Sequence, residues 1–380
     1  MILFVLTVFT IYGGVHVYAF LKARSALMLG PLASVALALF MLLMVFAIFL
    51  VRSLESHEYE LPARVLSYVA YFWMAALFLF FCSSLIFDSI TLITRVAGWI
   101  TRHDIASSLV PVKTAFFINL GLALVICTYG YFEAKDIRAE RLVLETTKLP
   151  PGIDRLAIVQ ISDVHLGLIN RCERFGPMIK AVKDAKPDIF VVTGDLVDAQ
   201  INQLTGLADM LRDVKARYGK YAIMGNHEYY AGPEKSLAFI RAAGLTMLRD
   251  EVVMDGPITI AGVDDRTAVQ LNVGHPSAEK ALLNGLSRDK FILFLKHQPR
   301  INPDTIGLFD LQLSGHTHKG QIFPFTLLTL FPFPRNAGTY ELGKGSLLHV
   351  SRGTGTWGPP IRFLAPPEVT IIELVRKPAV

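Results

Sequence analysis

Four long runs without a charged residue, all in the first third of the sequence, constrain the fold more than any other feature. They cover residues 1–21, 31–51, 65–87 and 114–132 and are 19 to 23 residues long. A helix needs roughly 20 apolar residues to cross a hydrocarbon core of about 30 Å. The runs therefore predict a multi-pass, all-α transmembrane region of four helices over residues 1–132. A cleaved signal peptide is the alternative for the first run, although no basic segment precedes it and no small-residue cleavage site follows it.

Between the third and fourth runs, apolar residues recur at helical spacing from Ile90 to Ile100, with Arg95 and Arg102 elsewhere on the helix. This pattern predicts a helix lying in the membrane interface, with a solvent loop as the alternative.

The Lys and Arg residues that flank the runs bear on the orientation in a cell membrane. The short loops after the first and third runs hold five of them, and the middle loop and the tail hold six. Because Lys22 and Arg24 directly follow an uncharged first run, we expect the C-terminal domain to be extracytoplasmic.

Residues 133–380 have the composition of a globular protein, since 57 of these 248 positions are charged, against 12 of the first 132. Three cysteines, of which only Cys172 lies in this part, cannot form a disulfide framework or a Cys-rich zinc site. The net charge of +5 is small and dispersed, and no Lys/Arg cluster is interleaved with aromatic residues, so we expect no nucleic-acid partner. No feature predicts the oligomeric state.

Short apolar runs alternate with helical patterns from residue 156 onward, which is typical of an α/β domain. The runs predicted to be buried strands are residues 156–162, 189–193, 221–224, 291–296 and 311–314. Metal-capable side chains directly follow nearly every one of them, namely Asp163, His165, Asp195, Asn226, His227, His297, His316 and His318. Each alone could be a turn or loop residue, but sites in α/β sheets form where strands end, so their joint placement predicts one site.

The sequence resembles the calcineurin-like metallophosphoesterases in five blocks that occur in order. The blocks are Asp163-Val164-His165, Gly194-Asp195, Gly225-Asn226-His227-Glu228, His297 and Gly315-His316-Thr317-His318. The stretch from Ser351 to Pro367 is similar to the bacterial membrane-associated, YkuE-like branch of that family. The resemblance implies a four-layer α/β/β/α sandwich over residues 151–380, with residues 133–150 as a linker.

The resemblance also implies a site for two divalent metal ions. The implied ligands are Asp163, His165 and His318 for one ion, Asn226, His297 and His316 for the other, and Asp195 as the bridge. Imidazole nitrogen with carboxylate and amide oxygen suits Mn, Fe or Zn, and four ligating histidines exclude an all-oxygen calcium cage. Hydroxide that bridges two such ions can attack phosphorus without a covalent protein nucleophile.

Several residues beside these ligands are further candidates. His227 corresponds to the family histidine that faces the substrate and can protonate the leaving oxygen. Glu228 either orients His227 or is a solvated loop acid or helix-start residue. Lys319 departs from this branch, which usually has glycine after the second histidine, and would hold a substrate phosphate or turn to solvent. Arg352 and Arg362 are candidates for phosphate binding, with an ion-pair or surface role as the alternative.

These features lead us to expect a membrane-anchored hydrolase of a phosphodiester or pyrophosphate-type substrate. Residues 322–334 carry no charge and, if exposed, would contact membrane lipid or receive acyl chains, which favours a lipid-linked phosphoester; a buried hairpin is the alternative. Two other functions fit the same blocks: a catalytically silent membrane sensor or scaffold, and a nuclease or cyclic-nucleotide phosphodiesterase. Histidines and aspartates outside the blocks, among them His16 and Asp198, receive no role.

Overall fold

The computed structural model describes residues 2–103, 109–198, 204 and 206–377. The chain divides into two compact units. The N-terminal unit consists of the residues up to Tyr131 together with Gly358–Ile361, and the C-terminal unit contains the remaining residues from Phe132 onward.

The N-terminal unit is all-α in the part that the structure describes. Its helices are α1 (Ile2–Leu27), α2 (Pro31–Ser56), α3 (Glu60–Thr101) and α4 (Val112–Glu133). Helices α2, α3 and α4 are long and apolar enough to cross a membrane, which confirms the last three predicted runs as candidate spans. Helix α1 covers the first run apart from Met1, which lies outside the described residues, and the count of four spans stays a prediction.

Helix α3 extends well beyond the third predicted run. It has 42 residues, which corresponds to about 60 Å at 1.5 Å per residue. Residues 90–100 are helical as predicted but continue α3, so the alternative of a solvent loop was wrong, and their location in the membrane interface stays a prediction. Residues 63–101 contain no proline, and α3 ends where Arg102 adopts a left-handed backbone with φ 56°.

Three polar contacts among the described residues join helices within the N-terminal unit. The indole nitrogen of Trp73 donates to Nε2 of His16 at 2.9 Å. The hydroxyl of Tyr18 donates to Asp88 at 2.6 Å, and the ammonium of Lys22 also donates to that carboxylate. His16 therefore has a packing role, since a buried polar ring is stable only with a hydrogen-bond partner.

The C-terminal unit contains two six-stranded sheets among the described residues. In the order β1-β12-β2-β3-β4-β5, the first sheet consists of β1 (Arg138–Thr146), β12 (Glu368–Arg376), β2 (Arg155–Ile161), β3 (Ile189–Thr193), β4 (Lys220–Ile223) and β5 (Thr246–Met247). In the order β10-β11-β9-β8-β7-β6, the second consists of β10 (Gly338–Gly343), β11 (Ser346–Val350), β9 (Leu311–Ser314), β8 (Ile292–Leu295), β7 (Thr259–Gly262) and β6 (Glu251–Val253). Each of the five predicted strands is found within one residue of its predicted bounds.

Strand β1 lies inside residues 133–150, where the resemblance had implied a linker. It pairs in parallel with β12, and Arg138 is opposite Glu368. Leu142 and Leu144 pack against the core between the sheets, while the residues that alternate with them are more exposed. A half-buried edge strand of this kind has a weak hydrophobic pattern, and this is why the interpretation as a linker was wrong.

The alternation of side chains along each strand builds the layers. In β2, Leu156 and Ile158 enter a core that also contains Leu293 of the second sheet, so the two sheets pack face to face. Val159 and Ile161 point the other way, toward a core that includes helix α5. The helices of this unit are α5 (Cys172–Asp184), α6 (Leu207–Arg212), α7 (Asn226–Ala231), α8 (Pro233–Ala242), α9 (Thr267–Gln270), α10 (Glu279–Asn284) and α11 (Phe325–Thr329).

The outer face of the second sheet is also covered. Leu283 of α10 packs with Phe294 of β8 and with Phe309. Helices therefore lie outside both sheets, and the unit is a four-layer α/β/β/α sandwich, as the resemblance implies. Strands β2, β3 and β4 run parallel, as do β7, β8 and β9, so that the carboxyl ends of neighbouring strands meet at one edge of each sheet.

Candidate metal centre

The predicted ligands come together where these strands end. Asp163 and His165 follow β2, Asp195 follows β3, and Asn226 opens α7 after β4. The second sheet contributes His297 after β8, together with His316 and His318 after β9. Left-handed backbone occurs at five of the ligands, namely Asp163, His165, Asp195, His316 and His318, with φ between 49° and 72°. Such backbone costs free energy in non-glycine residues and clusters at functional sites.

Glycines next to the ligands allow the loops to approach closely. A Cβ added to Gly225 would lie 2.2 Å from Oδ1 of Asp195, and one added to Gly315 would lie 2.2 Å from Oδ2 of Asp163. No side chain larger than hydrogen fits at either position without displacing a ligand. The glycines of the Gly225-Asn226 and Gly315-His316 blocks are thus steric requirements of the site.

One group of donor atoms is formed by Asp163, His165 and His318, whose ligand atoms all lie within 4.8 Å of one another. The Nε2 atoms of the two histidines are 3.0 Å apart. Nε2 of His318 is 3.6 Å from Oδ1 of Asp163. All three side chains are buried, so their lone pairs converge on a small volume away from bulk water.

The second group is formed by Asp195, His297 and His316, again within 4.8 Å. Nε2 of His297 lies 3.2 Å from Oδ2 of Asp195 and 3.2 Å from Nδ1 of His316. Oδ1 of Asn226 is also 3.2 Å from Nε2 of His297. The other ring nitrogen of His297 donates to the carbonyl of Thr193 at 2.8 Å, which fixes the orientation of Nε2 toward the group.

Asp195 connects the two groups. Its Oδ2 atom is 3.2 Å from His297 and 3.9 Å from Nε2 of His165. Asp195 therefore lies close to both groups, and its role as a bridging ligand stays a prediction.

The electrostatics of the groups fit cation binding. Burial and the neighbouring imidazoles lower the pKa of His165 and of His316 to about 4, so both rings are in the neutral form that binds metals. Burial opposes protonation of His297, but Asp195 and Asp163 raise its pKa well above the usual value, which shows that positive charge is favoured at this place. Imidazole nitrogens with carboxylate and amide oxygens are a donor set for a divalent transition metal.

His227 lies at the edge of this arrangement, and Asp198 holds it there. Nδ1 of His227 donates to Oδ1 of Asp198 at 2.9 Å, and its backbone N–H donates to Asp195 at 2.8 Å. Burial would lower the pKa of His227, but Asp195, Asp198 and Glu228 outweigh it and raise this pKa to about 9. The rings of Tyr230 and Trp357, both more than half exposed, lie with centroids 5.5 and 5.8 Å from the His227 ring.

Sequence reasoning missed the contact of Asp198 with His227. The only signal of Asp198 is its position three residues after Asp195, and that spacing does not show which way the side chain points.

Glu228 holds the backbone of the site. Its fully buried carboxylate accepts backbone N–H bonds from Asp195 at 2.9 Å, Leu196 at 2.7 Å, Val197 at 3.1 Å and Gly225 at 2.7 Å. Glu228 thus ties the loop after β3 to the turn after β4. Glu228 lies in the first turn of α7, so the helix-start alternative is confirmed, whereas the solvated loop acid was wrong because the carboxylate is buried. Its effect on His227 is through charge.

The three cationic candidates have different surroundings. Lys319 is half-buried and follows His318 in the chain, with a left-handed backbone of φ 51°. Arg352 forms ion pairs with Glu368 at 2.7 Å and with Glu140 of β1. Arg362 is fully buried and donates to main-chain carbonyls, among them that of Arg352 at 2.6 Å. Phosphate binding by Lys319 or Arg352 stays a prediction.

Comparison with known proteins agrees with this geometry. The calcineurin-like phosphoesterase family profile matches residues 156–320. An uncharacterized metallophosphoesterase of Aquifex aeolicus (strain VF5) is 40% identical over 259 residues, which cover 67% of this chain and 98% of that protein. The uncharacterized metallophosphoesterase YkuE of Bacillus subtilis (strain 168) is 35% identical over 65% of this chain and 89% of its own length.

A transmembrane protein with metallophosphoesterase domain from Danio rerio is 32% identical over 271 residues, which cover 68% of this chain and 62% of that protein. The chain belongs to the calcineurin-like metallophosphoesterase family. The resemblance seen in the five sequence blocks is thereby confirmed.

Proposed function

We propose that this protein is a membrane-anchored, metal-dependent hydrolase of phosphoesters, with two divalent ions at its active site. The observation that carries the proposal is the pair of donor groups, one around Asp163 and one around His297, with Asp195 close to both and His227 at their edge. The donor group that contains Asp163 would hold one ion, and the donor group that contains His297 would hold the other. Mn, Fe and Zn match the donors, and two such ions, when bound, would lower the pKa of a water molecule and stabilise charge on phosphoryl oxygens.

The chain's own residues supply the acid. Hydrogen bonds to Asp198 and Asp195 position His227 at the edge of the site, and the charges of the same two carboxylates favour its protonated form. His227 would therefore donate a proton to the leaving oxygen. The rings of Tyr230 and Trp357 would lie on the side of the leaving group.

For the substrate, we propose a phosphodiester or pyrophosphate-type ester linked to a lipid. Two observations support it: the chain has three helices apolar enough to span a membrane, and an exposed apolar segment follows His318. We also propose that the C-terminal unit is extracytoplasmic. Labelling of the exposed Cys172 by a membrane-impermeant maleimide in intact cells supports this side, whereas labelling only after lysis contradicts it.

The activity is tested with the purified full chain in detergent. A chromogenic phosphodiester, the matching monoester and lipid-linked phosphoesters are incubated with Mn, Fe, Zn or Mg. We expect turnover that is lost in Asp195→Asn and His227→Ala and retained in Asp184→Asn, a control on the exposed face of α5. No turnover of any ester despite bound metal would favour the sensor or scaffold. Turnover of the soluble esters alone would contradict the lipid-linked substrate.

A further inference from the structure

The segment Phe323–Phe333, which we call the apolar segment, exposes a continuous row of large side chains. Phe331 is 84% exposed and Leu328 55%. The other members of the row are Phe323, Phe325, Leu327 and Leu330, each at least 39% exposed. None of the five residues of α11, which lies within the segment, is buried. The alternative of a buried hairpin is therefore wrong, and an exposed apolar surface of this extent marks an interaction site.

The apolar segment is fastened to the loop that carries His316 and His318. The hydroxyl of Thr326 donates to the carbonyl of Lys319 at 2.8 Å. At the other end, the ring of Phe333 packs edge-to-face on the ring of His316, with centroids 4.9 Å apart. Whatever covers the apolar segment is thus held close to two predicted metal ligands.

The charges around the segment identify the kind of partner. Residues 311–340 contain no Asp or Glu, whereas Lys319 and Arg335 lie on either side of the segment. The guanidinium of Arg300 lies over the Phe333 ring, 4.8 Å from its centroid, and Arg300 and Arg335 are both exposed. An apolar surface with Lys319, Arg335 and Arg300 beside it fits the boundary between acyl chains and anionic headgroups.

We propose that the apolar segment inserts into the surface of an anionic bilayer and holds the metal centre against it. The inference rests on the proposed function for the membrane anchor and for the site that the bilayer would serve. A bilayer is the occupant we commit to, because the same chain has helices of membrane-spanning length and because the cations are complementary to anionic headgroups. Insertion would bring a lipid-linked phosphoester to the ligands without first extracting it into water.

The test measures the depth of residue 331 in the membrane. A nitroxide is attached to Phe331→Cys in the full chain, with the three native cysteines replaced by alanine, in nanodiscs that contain phosphatidylglycerol. The matched control is Met254→Cys, at a residue that is 56% exposed and lies outside the apolar segment. We expect the label at position 331 to collide with oxygen and to be protected from a water-soluble nickel chelate, whereas the control label is open to the chelate.

Equal access of the chelate to both labels would overturn the proposal. Protection of the label at position 331 from oxygen as well as from the chelate would also overturn it, since a second copy or another protein surface would then cover the segment. We expect nanodiscs of phosphatidylcholine alone to reduce the protection, because the cations then lose their partners. None of these measurements depends on turnover. A result that overturns insertion into the bilayer would therefore leave the proposed hydrolase activity untouched.

Discussion

Replacement of Asp198 by asparagine should lower the pKa of His227 without moving the ring. Asparagine keeps an oxygen that can accept from Nδ1, so the 2.9 Å contact can persist while the charge is lost. Two unit charges about 4 Å apart interact by about 4 kcal/mol at an effective dielectric constant of about 20. The Asp198 side chain is 32% exposed, so solvent screens part of this interaction. We therefore expect a decrease of about 1 to 2 pKa units, or about 1.4 to 2.7 kcal/mol.

The sign of the pH effect follows from the role of His227. A general acid must be protonated, so activity falls as the pH rises through its pKa, which Asp198 helps to raise. In Asp198→Asn the alkaline limb of the profile of kcat/KM should move to lower pH by the same 1 to 2 units, a loss of about 10- to 100-fold at alkaline pH. Both proteins keep the same metal ligands, so the comparison isolates the contribution of Asp198.

The assay is the pH profile of kcat/KM for two soluble phosphodiesters, one with an alkyl alcohol and one with a nitrophenol leaving group. The loss of kcat/KM at alkaline pH should be larger for the diester with the alkyl alcohol, because nitrophenolate leaves without full protonation. Asp184→Asn, which removes an exposed carboxylate paired with Lys180, should leave the profile unchanged. An alkaline limb in Asp198→Asn that coincides with that of the wild type would refute the role of Asp198.

Two further predictions concern the backbone of the site. In Gly315→Ala the new Cβ would lie 1.9 Å from Oγ of Ser162, so we expect a loss of about 1 to 3 kcal/mol in stability and a lower metal content by elemental analysis. Gly285→Ala, where no atom lies within 4 Å, should match the wild type, and equal melting temperatures for both variants would contradict the steric argument. Glu228→Gln turns an amide donor toward backbone N–H groups and should cost about 3 kcal/mol or more. An unchanged melting temperature would show that the buried carboxylate does not hold the loops.

The position of the metal centre could be predicted because its signal is local. Each ligand directly follows a short apolar run, and the runs predicted at residues 189–193 and 311–314 are the strands β3 and β9 without any change of bounds. Buried strands of a parallel sheet have continuous apolar sequences, so their ends are easy to place. The side chains that follow them then lie at one edge of the fold by topology alone.

The residues that support the ligands could not be predicted in the same way. Glu228 satisfies four backbone donors, and Arg352 pairs with carboxylates of β1 and β12. These roles depend on which distant segments meet, and one sequence does not contain that information. The exposure of the apolar segment could not be predicted either, because an uncharged run has the same composition on a surface as in a core.

Strand β12 lies between β1 and β2 in the first sheet, although it is separated from both by more than 200 residues of chain. During synthesis, every predicted metal ligand leaves the ribosome before Glu368, the first residue of β12. Until then β2, which leads into Asp163 and His165, has an open edge. A nascent chain therefore contains all the predicted metal ligands before it can complete the first sheet, which positions several of them. Truncation just before residue 368 would leave all the ligands in the product and prevent the first sheet from closing.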